Sequence, residues 1–463
     1  MKHVNVITLA GLILFAAPAF AQTQVASTDT ARADAGSASA TKAEPKRAEA
    51  ATVILRQIEL QNYRPVDARG LNVFEPPKSD NVPFTGFKLN IGGAFTQQFQ
   101  GLDHSNTAAP KLVAGVDQNK LVQIGHGPNN AVANLYVDAQ LARGIRVSMT
   151  GYLSARHHNE TWVKDGYLLV DASPIDLAPL NELMKYVTIR AGHFEVNYGD
   201  THFRRTDNGN AMFNPLVGNY VLDAFTTEVG GEVYLRGRGA LDGAFAMGGV
   251  FGGESRGMIQ KPQQRSPAFL GKAGYDTKLG SDLRVRLTGS LFSHARSTNQ
   301  TLYNGDRAGS RYYDVMEYNT DEKAAAWSGA INPGYGGVHA FVINPFLKVG
   351  GLELYGNIEQ SRGRTAAETA DRKWTQNVGE VVYRLFDDRL YAAARYNTAK
   401  GKLAGIANEV SVDRTQAGGG WFITPNIMAK LEYVTQKYND FPTSDIRSGG
   451  KFQGYMLEGT VAF

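Results

Sequence analysis

Apolar and polar residues alternate with a period of two along most of this chain, from about residue 84 to its end. The last ten residues, GYMLEGTVAF, show the pattern well: Tyr455 and Leu457 share one face, while Glu458 and Thr460 share the other. Segments of about ten residues with this alternation are typical of strands that contact lipid on one side and water on the other. A strand of a secreted β-sandwich has the same pattern, so the number and spacing of the segments must decide.

Sixteen segments have strand character, and the connections between them alternate in length. Short turns alternate with long connections, which predicts a barrel with one tight rim and one rim of long loops. An even strand number places both chain ends at the short-turn rim. The predicted strands are 84–99, 131–141, 145–155, 162–171, 187–195, 226–236, 241–252, 268–278, 283–293, 338–349, 352–361, 374–385, 390–398, 413–423, 427–437 and 452–463.

The fold expected from this pattern is all-β: a transmembrane antiparallel β-barrel of about 16 strands over residues 84–463. A barrel has no free edge, so the last strand must pair with the first. Phe463 then lies at the membrane interface, where aromatic residues are enriched. Its terminal position is similar to the C-terminal Phe signal of outer-membrane barrels, and this resemblance implies that Phe463 is an assembly signal.

The N-terminal part has the features of an exported protein. Residues 1–21 have an early Lys, an apolar run and an Ala-x-Ala pattern, which predicts a signal peptide cleaved after Ala21. Residues 22–83 are rich in Ala, Ser, Thr, charge and then Pro, and we interpret them as a disordered or extended periplasmic tail, too short for a globular plug. Together with the barrel pattern, export predicts the outer membrane of a Gram-negative bacterium.

Composition narrows the function further. The chain has no cysteine and a formal net charge of only +4 over 463 residues. Thiolate metal sites and cysteine nucleophiles are therefore excluded, and the charge argues against a nucleic-acid partner. No cofactor or metal site is expected.

The segment before the third long connection, RAGHFEVNYG (190–199), resembles the R-x-G-x-F-x-x-P-F-G strand-to-loop motif of the phosphate-selective porin family. Asn197 replaces the Pro of that motif, and Tyr198 replaces its second Phe. The resemblance implies an outer-membrane porin that assembles as a trimer and allows passive diffusion of small hydrophilic solutes, with phosphate or other small anions among them. It also implies that the barrel assembly machinery inserts the chain into outer-membrane lipid.

In porins the third extracellular loop folds into the lumen, so residues 199–225 are expected to narrow the channel. The constriction residues would be Asp200, His202, Phe203, Arg204, Arg205 and Asp207. Arginines at the narrowest point would stay charged and favour anions. Alternatively, Asp200, Asp207 and Glu228 would pair with both arginines and form a neutral structural clasp.

The polar face of each predicted strand gives the residues that line the lumen. Their sum has a surplus of three positive charges, which makes the channel weakly anion-leaning unless the charges form ion pairs on the wall. The basic positions are Lys88, Arg146, Arg190, Arg236, Lys272, Arg284, Arg286, Lys348, Arg384, Arg395 and Lys430; the acidic positions are Asp138, Glu228, Glu232, Glu353, Glu359, Glu380, Glu432 and Glu458.

The alternative function is an outer-membrane barrel enzyme, a lipase or a protease. Such an enzyme requires a serine or aspartate near a histidine. The sequence offers Ser255 in a Gly-x-Ser-x-Gly match, with Asp314 and His339 loosely placed. The match lies in a glycine-rich loop and not at a strand-to-helix turn, so a non-enzymatic channel is favoured.

Overall fold

A computed structural model describes residues 58–64, 67–71, 74–78, 82–155, 161–253, 259, 261–305, 313–318 and 330–463. The predicted signal peptide 1–21 and the tail up to residue 57 lie outside the described residues. Among the described residues, no helix is both long enough and apolar enough to cross a membrane.

The described chain forms a closed barrel of sixteen strands. All neighbouring pairs are antiparallel, and the ring closes between the first and the last strand. The strands are β1 Lys88–Ser105, β2 Gly127–Ala142, β3 Ile145–Ser154, β4 Trp162–Val170, β5 Val187–Glu195, β6 Thr227–Arg236, β7 Ala244–Phe251, β8 Ala268–Leu279, β9 Leu283–His294, β10 Gly337–Val349, β11 Leu352–Arg364, β12 Arg372–Leu385, β13 Leu390–Gly401, β14 Val410–Thr424, β15 Ile427–Asn439 and β16 Lys451–Ala462. The predicted sixteen-stranded antiparallel barrel is confirmed.

The alternation of the sequence becomes the two faces of the wall. On β16, Leu457 is half exposed, whereas Glu458 is 2% exposed. On β9, Leu287 and Leu291 are likewise exposed, whereas Arg286, the residue before Leu287, is buried. An outward apolar face with an inward polar face is the arrangement that a lipid bilayer requires.

The two rims differ as the sequence predicts. Residues 350–351 and 425–426 are examples of the tight turns on one rim, and 295–336 is the longest connection on the other. A short helix, α1 (Ala178–Leu183), lies in the longest connection of the tight rim. Both ends of the barrel chain lie at this rim, since Ala94 in the first half of β1 pairs with Ala462 at the end of β16.

Apolar residues also pack inside the ring. Phe194 on β5 contacts Phe251 on β7, with ring centroids 5.8 Å apart and nearly perpendicular planes. On the opposite side, Tyr313 packs against Phe452 at 5.3 Å. Tyr313 belongs to the connection between β9 and β10, so part of the interior is filled by protein from a long connection.

A β-bulge interrupts β4. Thr150 pairs with Asp165, but the next residue, Gly151, pairs with Val163, so Lys164 is the extra residue. The bulge turns two consecutive charged residues, Lys164 and Asp165, toward the buried face, while Val163 is exposed. Bulges of this kind redirect side chains near functional sites.

The C-terminal residue completes the closure of the ring. The Phe463 amide donates to the Gly93 carbonyl at 2.9 Å, and the Gly93 amide donates to the Phe463 carbonyl at 3.0 Å. The Phe463 ring lies over Gly93, because a Cβ built there would be 3.1 Å from Phe463 Cζ. The ring itself is 65% exposed, as an interfacial aromatic residue would be.

We expect Phe463→Ala to lower the amount of assembled barrel several-fold, because the closing strand loses its interfacial aromatic residue. Phe463→Trp is the matched control and should assemble normally. The measurement is the heat-modifiable, membrane-inserted fraction on gels. Normal assembly of the alanine variant would contradict the assembly role of Phe463.

Candidate pore constriction

Residues 196–226 connect β5 to β6 and contain the six predicted constriction residues. The segment begins with a turn at Gly199, which has a φ of 68°. A Cβ at this position would lie 3.1 Å from Val342 Cγ1 and 3.2 Å from Asn344 Oδ1. Only glycine combines this backbone conformation with so close an approach to β10.

Asp200 anchors the start of the segment to the wall. Its carboxylate accepts two hydrogen bonds from Arg286, at 2.8 and 2.9 Å, and one from Thr288 at 2.8 Å. Lys272 Nζ lies 2.8 Å from the same carboxylate. All four side chains are buried, so this is a fully paired ionic cluster.

Arg204 reaches two glutamates on adjacent strands. Its Nη1 donates to Glu353 on β11 at 3.1 Å, and its Nη2 donates to Glu380 on β12 at 2.9 Å. Arg384 also binds Glu353, and Arg395 binds Glu380 at 2.5 Å. Three guanidinium groups therefore share two carboxylates, and the Arg204 side chain is completely buried.

Arg205 is paired within the segment itself. Its Nε and Nη2 donate to the two carboxylate oxygens of Asp223 at 2.8 and 2.6 Å. The guanidinium carbon also lies 4.6 Å from the centre of the Phe225 ring. A forked pair stacked on an aromatic ring fixes the shape of the segment.

The remaining predicted constriction residues face β3 to β5. Asp207 forms an ion pair with Lys164 on β4. His202 hydrogen-bonds Asn197 at 2.8 Å through Nε2 and contacts Glu195 through Nδ1 at 3.2 Å. Burial lowers the pKa of His202, against the opposing effect of Glu195.

The second half of the segment contacts the other side of the ring. Glu432 on β15 accepts hydrogen bonds from the Val217 and Gly218 amides at 2.7 and 3.3 Å. Lys430 donates to the Ala211 carbonyl at 2.8 Å. Thr96 on β1 donates to the Gly209 carbonyl at 2.6 Å. Backbone groups of the segment are thus held by inward polar side chains of β15 and β1, which are far apart in sequence but separated by a single strand in the ring.

A second segment lies against the inner wall. We call residues 58–64, 67–71 and 74–78 the N-terminal strap. Arg146 donates to its Asn62 carbonyl at 3.0 Å, and Arg384 donates to its Arg69 carbonyl at 2.9 Å. Because β3 and β12 lie on opposite sides of the ring, the strap crosses the barrel interior.

The strap and the constriction segment share one arginine. Arg286 donates to both oxygens of Glu75 at 2.9 and 2.8 Å, in addition to its contacts with Asp200. Phe74 of the strap packs edge-on against Phe203 of the constriction segment at 4.8 Å. The two segments therefore stabilise each other against the wall of β8 and β9.

This shared cluster makes the arrangement sensitive to acid. Burial raises the pKa of Glu75 and of Asp200, but Arg286 and Lys272 outweigh it and hold the pKa of each below its ordinary range. Such a group stabilises the fold fully above its unfolded-state pKa of about 4, and this contribution is lost progressively as the pH falls from that value through the lower folded-state pKa.

We therefore expect constant conductance from pH 7 down to about pH 4, because Glu75 and Asp200, with pKa values below their ordinary range, stay ionised there and keep Arg286 bound. Glu75→Gln should have raised conductance already at neutral pH. Glu368→Gln at the opposite rim removes a partly exposed carboxylate paired with Arg372 and should keep the wild-type profile. A rise in wild-type conductance already above about pH 4 would contradict the expected role of the cluster.

The remaining predicted lumen residues lie on the inner face and contact ionisable side chains or backbone carbonyls. Arg190 pairs with Glu232 at 2.6 Å, and Arg284 pairs with Asp276 at 2.7 Å. Lys430 binds Glu458, and Glu228 lies 3.9 Å from His294. Lys88, Arg236 and Lys348 donate to backbone carbonyls of Glu59, Glu75 and Gly350, respectively.

The candidate enzyme residues do not form a triad among the described residues. Ser255 lies outside the described residues. His339 Nδ1 is 2.8 Å from the Ser293 hydroxyl on the outer face, and no carboxylate of the described chain is within hydrogen-bonding distance of His339. Asp314 contacts Gln100 through its backbone amide and carbonyl groups.

Several contact residues were not predicted from the sequence. For Lys164 and Asp165 the sequence does contain a signal of an inward role, since two adjacent charges break the alternation of a strand. For Glu75 the signal is weaker, a charged residue before a Pro-Pro pair. For Asp223 and Arg64 the sequence contains no such signal, because their roles depend on contacts between segments distant in sequence.

Comparisons with known proteins found no matching family model and no matching curated protein. Among solved structures, the chain is similar to an anion-selective porin from Comamonas acidovorans, with 10% identity and a TM-score of 0.48 over 81% of this chain and 100% of that one. It is similar to Salmonella typhi OmpF in complex with daunomycin, with 15% identity and 0.48 over 82% and 98%. It is also similar to the outer-membrane channel DcaP of Acinetobacter baumannii, with 10% identity and 0.47 over 82% and 98%. At these values the fold assignment rests on the strand pairing described above.

Proposed function

We propose that this protein is an outer-membrane porin that allows passive diffusion of small hydrophilic solutes. The observation that supports it most is a closed barrel of sixteen strands with an apolar outer face and a charged inner face. Barrels of this strand number enclose an aqueous channel. Residues 196–226, folded into the lumen, and the N-terminal strap then narrow that channel.

The two arginines of the constriction act as a structural clasp in this proposal. Arg204 and Arg205 are neutralised by Glu353, Glu380 and Asp223, so they hold the segment in place and do not select ions. These three partners differ from Asp200, Asp207 and Glu228, the partners considered from the sequence. Two of the three, Glu353 and Glu380, lie on strands of the barrel wall.

A weak anion preference remains part of the proposal, but we attribute it to a cavity and not to the two constriction arginines. A cavity beside the constriction segment is lined by four cationic residues, Arg64, Arg146, Lys164 and Arg190, and by three acidic ones, Asp165, Glu195 and Asp207. A surplus of one positive charge favours small anions, phosphate among them, only slightly. Homotrimer formation and insertion by the barrel assembly machinery belong to the same proposal.

A planar lipid bilayer tests the function directly. Purified protein should give stepwise conductance in simple salt without added substrate, and proteoliposomes should swell in small sugars. The reversal potential in a salt gradient should show a slight anion preference. Protein that inserts as a folded barrel but gives no steps would overturn the porin proposal.

A further inference from the structure

The cavity beside the constriction has a volume of about 180 Å³. The strap contributes Arg64 and Phe74 to its lining, the constriction segment contributes Phe203, and β4 contributes Lys164 and Asp165. Sites for drug-sized ligands have volumes of about 300 Å³ or more. Only a solute of a few heavy atoms fits in this cavity.

Lys164 and Asp165 differ in how their charges are balanced, although the β4 bulge places both at the cavity. Lys164 pairs with Asp207, and it pairs with Glu195 at 3.0 Å. Asp165 forms no ion pair within the described chain. One of its carboxylate oxygens, Oδ1, has no hydrogen-bond donor there, and its one side-chain hydrogen bond involves Thr150. A buried carboxylate oxygen without a donor is costly, so Asp165 suits a cationic ligand group.

Arg64 has the opposite charge in a similar position. Its Nη1 donates to the Phe74 carbonyl at 3.2 Å, and its guanidinium lies 4.9 Å from the centre of the Phe203 ring. Among the described residues, no carboxylate forms an ion pair with Arg64. Most of its N–H groups are therefore available to a ligand carboxylate, which a guanidinium binds in forked geometry.

Two opposite charges thus line one small cavity without pairing with each other. We propose that this cavity binds a small zwitterion of the α-amino-acid class as it diffuses through the channel, with Arg64 holding the carboxylate and Asp165 holding the ammonium group. This inference rests on the proposed porin function. A simple anion would leave Asp165 without a cationic partner, and a simple cation would be repelled by Arg64, Arg146 and Arg190.

Matched probes distinguish a site that binds zwitterions from a charged cavity without preference among the three solutes. Single-channel recordings measure the block by alanine, by lactate, which lacks the ammonium group, and by alaninamide, which lacks the carboxylate. We expect wild-type protein to bind alanine at least about tenfold more tightly than either analogue, a difference of about 1.4 kcal/mol.

Two variants, one on the wall and one on the strap, test the two charges separately. Asp165→Asn should weaken alanine block about tenfold and leave lactate block unchanged or stronger, and Arg64→Gln should weaken alanine block similarly and spare alaninamide. Heat-modifiability on gels verifies that both barrels are folded.

The outcomes separate this inference from the porin proposal. Equal block by all three probes, or alanine block unaltered in both variants, in a protein that still gives conductance steps overturns the zwitterion site alone. The absence of conductance steps in folded wild-type protein overturns the porin proposal and this inference with it.

Discussion

Deleting residues 58–78, the span of the N-terminal strap, should raise single-channel conductance by at least about twofold, since an unobstructed barrel of sixteen strands encloses a wide aqueous channel. The strap crosses the interior between β3 and β12, so its removal widens the aqueous channel wherever the strap now lies. The barrel strands begin only at Lys88 and remain complete. Planar-bilayer recordings measure the effect.

The same deletion should also shift ion selectivity toward anions. The strap carbonyls at Asn62, Arg69, Leu71, Glu75 and Pro76 accept hydrogen bonds from wall arginines. The Glu75 carboxylate, in addition, neutralises part of the charge of Arg286. Without the strap these cations face water in the lumen, where a low-dielectric wall strengthens their field. The reversal potential in a salt gradient should therefore move in the anion-selective direction.

A deletion of equal length in the upstream tail, residues 29–49, is the matched control and should leave both quantities unchanged. If the strap deletion also leaves conductance and reversal potential unchanged, the strap does not limit the pore. A change in conductance without a change in selectivity would show that the wall arginines find other partners.

The barrel was predictable from the sequence because lipid imposes a strict rule on every strand. All sixteen predicted segments are strands, and the errors lie mainly at the long-loop rim. β1, for example, continues to Ser105 where the alternation suggested an end at 99. Beyond the apolar band both faces of a strand contact polar surroundings, so the hydrogen-bonded ladder continues while the alternation ends.

The interior was much less predictable. The strap binds mainly through backbone carbonyls, which any sequence carries, and its proline-rich stretch has no periodicity to indicate a partner. The partners of Arg204 lie about 150 and 176 positions further along the chain. Such pairings depend on which strands face each other across a closed ring, and residue spacing does not encode that.

The clasp at Arg204 gives the second large effect. Arg204→Ala leaves Glu353 and Glu380 with one guanidinium each, Arg384 and Arg395, in a buried site. Each of the two lost charge-assisted hydrogen bonds contributes about 1.5–3 kcal/mol, so their loss loosens the constriction segment against β11 and β12. We expect higher conductance, more gating noise and little change in reversal potential, since the lost charge is neutralised in the intact protein.

Two further variants separate this clasp from an ion-selective role. Arg204→Met keeps a long side chain beside Phe346 and Tyr355 but loses both hydrogen bonds, so it should loosen the segment as Arg204→Ala does. Arg204→Lys keeps the charge but loses the guanidinium that donates to Glu353 and Glu380 at once. Its gating noise should lie between that of the wild type and that of Arg204→Ala. A selective arginine predicts the reverse: the reversal potential would shift toward cations in Arg204→Ala while the conductance noise stayed at the wild-type level. Because the Arg204 side chain is completely buried between two carboxylates, we expect noise and conductance to change and selectivity to remain.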